Sequence, residues 1–312
     1  MRLGNLQFPE RFRGKFPLTL LTSNLGGPGH SWLKRMFVDG GEDGRIRRMP
    51  DEEGGSLRQY IKGLWSDNPD LTKNDPGYLS RLKALPDPHQ RAALLNADWS
   101  VAEGSIFANV WDRTRHVCSS FAIPSSYDLW RGADDGLAAP ASILWGAFDK
   151  AQGRIYVISE LFKAGMLPEE MGKRVLERDH TLLVNEYGNV RKNGTTLSGH
   201  IDSSGFDDPG NGSLSRGQIM NKMGCGWKPV PKGPGSRVAG IQSIMRHLGE
   251  NCPDGGPKLK IFETCKTLCE ALPSAPRSER DPEDVADFEY DHSVDSLRYM
   301  LARRASTFGR HG

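Results

Sequence analysis

Three apolar runs, LWRGAD (129–134), ASILWGAFD (141–149) and RIYVISELF (154–162), follow one another with only short turns between them. No other feature of the 312-residue chain narrows its fold as far. Such runs are too short for buried helices and are bounded by Gly and Pro, so they read as strands. Gly136–Pro140 and Lys150–Gly153 supply the turns. Connections this short join neighbouring antiparallel strands, so the three runs predict a meander.

Downstream, strand and helix patterns alternate. LPEEMGKRVLERD (167–179) predicts a helix with Pro168 near its start, and TTLSGHID (195–202) a fourth strand. SRVAGIQSIMRHLGE (236–250) predicts a helix, and PKLKIFET (257–264) a fifth strand running into a helix with CKTLCEAL. SVDSLRYMLARRA (293–305) closes the pattern, with Val294, Leu297, Met300 and Leu301 on one helical face. The order β-β-β-α-β-α-β-α predicts an α/β domain, a mixed five-stranded sheet flanked by helices. It is the order of RNase H-like domains, although other α+β domains share it.

The first hundred residues read differently. PLTLLT (17–22) predicts a short buried strand, followed by the Gly-rich turn SNLGGPGHSW and a helix SWLKRMF. Residues 40–56 are rich in Gly and charge and predict an exposed loop. LRQYIKGLW, DPGYLSRLKAL and DPHQRAALLNADW then predict helices. In the last two, Asp75 and Asp87 are candidate N-caps, with Pro76 and Pro88 in the first turn. The expected division is a mainly helical segment 1–105, a linker 106–125, the sheet domain 126–305 and a tail 306–312.

Charge restricts function only weakly. With 41 basic and 39 acidic residues the net charge is +2, so any nucleic-acid contact must come from local patches. No apolar run approaches 18 residues, and the basic start lacks the apolar core of a signal peptide. The five cysteines form no C-x-x-C pair and fit a reducing compartment. Cys265 and Cys269, four apart on an expected helix, read as small buried hydrophobes.

The acids at strand ends carry the chemistry. Cleavage of a phosphodiester with two divalent ions needs carboxylates that converge from separate elements. Asp134 ends the apolar strand LWRGAD, with Asp135 as its rival. Asp202 follows LSGHI and precedes Ser203, Ser204 and Gly205, while Asp207 and Asp208 compete with it in the same loop. Asp291 and Asp295 are four apart at a helix start and share a face. Glu160, at the end of VISE, and His292 are candidates for an outer shell, together with Asp135. Arg131, Arg191, Lys192, Lys222, Lys228, Lys232 and Arg237 are candidate phosphate contacts; Arg191, Lys192, Lys228, Lys232 and Arg237 carry the DNA-binding expectation.

Taken together, PLTLLTSNLGGPGHSWLKRMFVD, SDNPDLTKNDPGYLSRLKALPDPHQRAALLNADW, RGADDGLAAPASILWGAFDKAQGRIYVISELF and DHSVDSLRYML resemble the large terminase subunit of tailed bacteriophages over residues 17 to 303. The resemblance implies an RNase H-like nuclease domain preceded by a partial, mainly helical remnant of a P-loop ATPase domain. It implies Asp134, Asp202 and Asp295 as catalytic metal ligands, with Asp291 as an extra ligand and Mg²⁺ or Mn²⁺ as a pair of ions. Asp135 stands where the family has an aromatic residue, which keeps Asp134 and Asp135 both open. The implied activity is an endonuclease that cuts concatemeric viral DNA during packaging, in the host cytoplasm. The implied partners are double-stranded DNA, the portal protein and the small terminase subunit. Thr22, Ser23 and Asn24 resemble residues that couple ATP hydrolysis to movement. The chain carries no G-x-x-x-x-G-K-[ST]. It is therefore expected to be a fragment or one half of a split protein, inactive as an ATPase by itself, with that half supplied separately. The competing expectation is a non-catalytic or degenerate fragment that grips DNA and docks on the portal.

Overall fold

A computed structural model describes residues 19–23, 30–85, 88–99, 104–136, 139–184, 197–210, 212–278 and 280–308. The N-terminal part holds a short helix, α1 (His30–Leu33), which runs into a π-helical turn, Lys34–Val38. A hairpin of β1 (Ile46–Arg48) and β2 (Leu57–Gln59) follows, then α2 (Pro69–Asn74), α3 (Tyr78–Lys83) and α4 (Pro88–Asn96).

Several expectations fail in this part, for identifiable reasons. Residues 19–22 form no strand, and Leu20 and Leu21 are exposed; among the described residues no strand pairs with them, and an isolated strand cannot satisfy its backbone. The helix expected at LRQYIKGLW is instead β2 followed by coil and a 3₁₀ turn at Trp65–Asp67. Leu57, Ile61 and Leu64 have helical spacing, but Arg47 and Arg58 stand paired across the hairpin. Gly54, in the left-handed region at φ 90°, turns the chain between the two strands. The loop expected at 40–56 thus contains β1. Asn68, rather than Asp75, caps a helix by its side chain, accepting the Leu71 N–H at 3.1 Å. Gly77 stands at the N-cap of α3, and Asp87 lies outside the described residues.

From residue 104 onward the chain builds one sheet. After α5 (Arg113–His116) and β3 (Val117–Cys118) come β4 (Asp128–Asp134), β5 (Ala141–Asp149) and β6 (Arg154–Lys163). They are followed by α6 (Pro168–Leu183), β7 (Gly199–Ile201), α7 (Arg216–Lys222), β8 (Trp227–Pro229) and α8 (Ser236–Gly249). The fold closes with β9 (Leu259–Phe262), α9 (Lys266–Ser274) and α10 (Asp291–Phe308). The strand order is β3-β9-β6-β5-β4-β7-β8. The meander β4-β5-β6 is antiparallel, β7 and β8 add in parallel beside β4, and β9 and β3 add in parallel beside β6. A three-strand meander extended from its first strand by two parallel strands is the RNase H-like arrangement.

The sheet has seven strands rather than the expected five. The two extra ones, β3 and β8, span two and three residues at the sheet edges. The segment expected as a linker, 106–125, is packed into this domain. Ile106, Phe107 and Trp111 are buried with the sheet core, and Ile106 N–H bonds Ala275 C=O at 2.9 Å.

Packing explains the order of the layers. β5 is buried along its whole length, so both faces of the sheet are covered. On one face α10 crosses β4 and β5 so closely that a side chain on Gly132 would overlap the Met300 backbone. On the other, Arg131 is fully buried and pairs with Asp179 of α6 and the Cys225 carbonyl, its guanidinium lying 4.4 Å over Trp227. Trp145 Nε1 donates to the same Asp179 at 2.8 Å. Arg131 is thus a core tie between β4 and α6 and offers nothing to a phosphate. Among the described residues, no helix is long and apolar enough to cross a membrane.

Candidate active site

Parallel pairing of β4 with β7 sets Ala133 opposite Ile201, so the next residues, Asp134 and Asp202, emerge side by side at the strand ends. Adjacent strands lie ~4.8 Å apart, and residues in the same phase share a face. Both acids are buried, and both turn toward α10. Asp134 N–H donates to Ser296 Oγ at 2.9 Å, and that hydroxyl donates on to Ser142 C=O at 2.8 Å. Tyr299, one turn further along α10, donates its hydroxyl to Asp202 Oδ2. Asp295 precedes Ser296 on the same helix. The three acids, 161 residues apart at the extremes (134 to 295), therefore meet where α10 crosses the strand ends.

Electrostatics records the crowding. Burial pushes the Asp134 carboxyl above the ordinary carboxylate range, and the charges of Asp295 and Asp202 add to the rise against the opposing pull of His292. Asp202 behaves oppositely. Burial would raise it, but Lys232, Tyr299 and Ser204 outweigh that and hold it at about 2. Lys232 Nζ stands 2.6 Å from Asp202 Oδ1, while the Ser204 N–H and hydroxyl donate to the same oxygen at 2.7 and 2.8 Å. Asp295 takes Arg298 Nε at 3.0 Å and lies 3.8 Å from Arg237.

His292 joins the cluster directly. Its Nδ1 lies 2.5 Å from Asp134 Oδ2, and its Nε2 lies 3.8 Å from Asp291. The hydrogen bond to Asp134 raises the imidazole pKa, although burial opposes it. Asp291 opens α10, accepts the His292 N–H at 2.7 Å, and has its pKa raised chiefly by burial.

Other candidates lie elsewhere. Asp135 points away from the cluster into a two-pronged ion pair with Arg216 of α7, both contacts 2.7 Å. Glu160 does not reach the acids; it caps α9, accepting the Thr267 and Leu268 N–H groups at 2.8 and 3.0 Å. Asp207 and Asp208 are exposed beyond the 3₁₀ turn that Asp202 starts. Lys228 is exposed on β8, and Arg237 is held by Asp284 at 2.8 Å. Arg191, Lys192 and Asn24 lie outside the described residues, while Thr22 and Ser23 are exposed.

No family model matches the chain, and no curated protein does. In three dimensions the chain is similar to large terminase nuclease domains. The P22 large terminase nuclease domain superposes with a TM-score of 0.49 at 18% identity, over 65% of this chain and 93% of that one. The large terminase from a thermophilic bacteriophage gives 0.47 at 15% identity, over 89% of this chain. The chain spans about 61% of that terminase's length. The large terminase nuclease domain from the bacteriophage SPP1 with bound Mn gives 0.42 at 17% identity, over 60% of this chain and 95% of that domain.

Three contributors escaped the sequence reading: Ser296, Arg298 and Tyr299. Tyr299 stands four residues after Asp295 and seven after His292, the spacing of a single helix face, and that pattern was the available signal. Arg298 Nη2 also donates to the Tyr299 hydroxyl at 2.9 Å, which ties Asp295 to Asp202 through two side chains.

The donor set fits a hard divalent cation in kind. It is all oxygen and partly buried, and burial first, then the charges of Asp295 and Asp202, raise the Asp134 carboxyl. The ligand geometry is not assembled as it stands. Among the described residues no three His, Cys, Asp or Glu side chains are placed to hold one ion together. Each carboxylate is engaged by a protein group instead: Asp134 by His292, Asp202 by Lys232 and Asp295 by Arg298.

Proposed function

We propose that this chain is a metal-dependent endonuclease of the terminase large-subunit type, cutting concatemeric viral DNA as the genome is packaged. The observation that carries this reading is the meeting of Asp134, Asp202 and Asp295 from two strand ends and α10. The family resemblance spread over residues 17 to 303 adds the substrate and the setting. On this reading the substrate is double-stranded DNA and the setting is the host cytoplasm. The portal protein, the small terminase subunit and a separate ATPase half are the protein partners.

Asp134, Asp202 and Asp295 would hold Mg²⁺ or Mn²⁺, with Asp291 at the margin. Two such ions would supply activation of a water nucleophile and stabilisation of the departing oxygen. The chain's own part is positioning. The β4 and β7 ends fix two carboxylates in register, and Ser296 holds the Asp134 backbone against α10. His292 orients the Asp134 carboxylate through Nδ1. Exposed Lys228, one strand away, offers a phosphate contact that is indifferent to base sequence. A crystal soaked in Mn²⁺ tests the assignment: anomalous density beside Asp134 and Asp202 is expected, and density confined to other acids would overturn it.

A second reading has one observation in its favour. Leu20 and Leu21 belong to a strand-type run yet stand exposed, as a segment awaiting a sheet would. The chain would then also act as the DNA-gripping, portal-docking part of a motor whose ATPase is a separate chain. Pull-down of a Walker A protein, lost in a Leu20→Asp, Leu21→Asp variant, tests it.

A further inference from the structure

The cations that face the acid cluster are not equally free to leave it. Arg298 is 8% exposed, lies 4.3 Å over the Tyr299 ring, and runs beneath Gly240. A side chain on Gly240 would overlap the Arg298 stem, so this guanidinium is locked in place. Arg237 is held additionally by Asp284 at 2.8 Å and by the Val285 carbonyl at 3.3 Å. His292 sits in the first turn of α10, with its backbone N–H on Asp291.

Lys232 differs in its ties rather than in exposure alone, since Arg237 is itself 40% exposed but is held by two further groups. The Lys232 side chain is 47% exposed, and among the described residues its ion pair is with Asp202 alone. It stands in residues 230–235, the short connection between β8 and α8, where Gly235 turns at φ 75°. An ammonium on a four-carbon stem is a point charge without the fixed fork of a guanidinium, so it can exchange partners with little reorganisation. Asp202 loses no orientation when Lys232 departs, because Ser204 still donates to Oδ1 and Tyr299 to Oδ2.

We propose that Lys232 is an exchangeable counter-ion: it neutralises Asp202 while no divalent cation is bound, yields that carboxylate when the cation arrives, and is thereby freed to meet a DNA phosphate. The proposal rests on the nuclease reading above and adds a role to it. Two neighbouring buried carboxylates at the β4 and β7 ends would otherwise repel one another in the absence of metal. Lys232 offsets that repulsion. Its release couples metal loading to grip on DNA, since a cation tied to Asp202 cannot neutralise a phosphate.

The test uses the full chain with Mn²⁺ as the probe, following the paramagnetic resonance of free Mn²⁺ during titration. Lys232→Met is expected to bind Mn²⁺ about threefold to tenfold more tightly than the parent protein, because the competitor is gone. Lys232→Arg is expected to stay near the parent, and Asp202→Asn to bind much more weakly. In a second measurement, duplex DNA binding by Lys232→Met should fall several-fold with Ca²⁺ present and stay unchanged in a chelator. If the parent binds Mn²⁺, Asp202→Asn does not, and Lys232→Met matches the parent, the exchange is wrong while the nuclease reading stands. If neither the parent nor any variant binds Mn²⁺, both fall together.

Discussion

Asp134 and Asp135 are neighbours in the chain, yet their side chains go to different places. Asp134 meets His292 and the charges of Asp202 and Asp295, whereas Asp135 clamps Arg216 with both oxygens. Alternation at the end of a strand is the cause, and no property of two adjacent aspartates in a sequence reveals which is which. Asp135→Ala should therefore act on stability. It strands a partly buried Arg216, at a cost of about 1–3 kcal/mol. A lowered urea midpoint with metal-dependent cutting retained per folded molecule is the expected result. A second residue-scale prediction concerns His116, which is fully buried, stacks on Trp111 at 5.4 Å and lies 2.9 Å from the Leu248 carbonyl. Burial lowers its pKa below the ordinary imidazole value. The folded protein thus binds this proton less readily than the unfolded chain does. The associated stability is complete above about pH 6.5 and is lost as the pH falls, by at most ~1.4 kcal/mol per pH unit. Denaturant titrations at pH 7.5 and 5.5 should show the loss, and His116→Gln should show a smaller one. His30 and His247 shift in the same direction through burial and add to the slope, whereas His292, raised by its hydrogen bond to Asp134, opposes it, so the difference between the parent and His116→Gln is the reading that isolates His116.

At the scale of elements, α10 does most to make the site. Its Val294, Leu297, Met300 and Leu301 are buried against the sheet, while Asp291, His292, Asp295 and Tyr299 line the acid cluster. The apolar face was legible from helical periodicity, and the two aspartates from their spacing of four. Tyr299 was not singled out, because an aromatic residue on such a helix reads as core until its hydroxyl is seen on Asp202. Gly132 permits the whole arrangement, since it lets α10 lie directly on β4. Gly132→Ala should push the helix off the sheet. Overpacking of this kind costs about 1–3 kcal/mol, and here it also separates Asp295 from Asp134. Thermal melts should show a lower midpoint, and cutting should fall more than the folded fraction does. An unchanged melt and unchanged cutting would contradict the close approach of α10 to β4.

Across the whole molecule, the parts legible in advance were those with long periodic runs. The meander, α6, α8, β9 and the closing helix all lie where their apolar patterns put them. What escaped was short or borrowed its stability from elsewhere. β8 has three residues, one of them Pro229, and β3 has two, so neither carries a period of its own. The β1–β2 hairpin was hidden by the helical spacing of Leu57, Ile61 and Leu64. Residues 19–22 of the strand expected at PLTLLT show the reverse failure: among the described residues no strand pairs with them, and Pro17 and Leu18 lie outside the described residues. Charge is also a property of the whole molecule. With a net charge of only +2, the DNA affinity expected on the nuclease reading would depend on a few local cations. Its salt dependence should therefore be shallow, with each phosphate contact contributing about −0.9 to the slope of log K against log salt. Lys228→Ala is expected to flatten that slope by about one contact without altering sequence preference.

The most direct test of the account is plasmid nicking in Mn²⁺ by the parent chain and by Asp134→Ala and Asp295→Ala, each checked for folding by circular dichroism. The account predicts Mn²⁺-dependent cutting by the parent and a drop of roughly a thousandfold or more in both variants. Cutting by both folded variants at the parent's rate would contradict it.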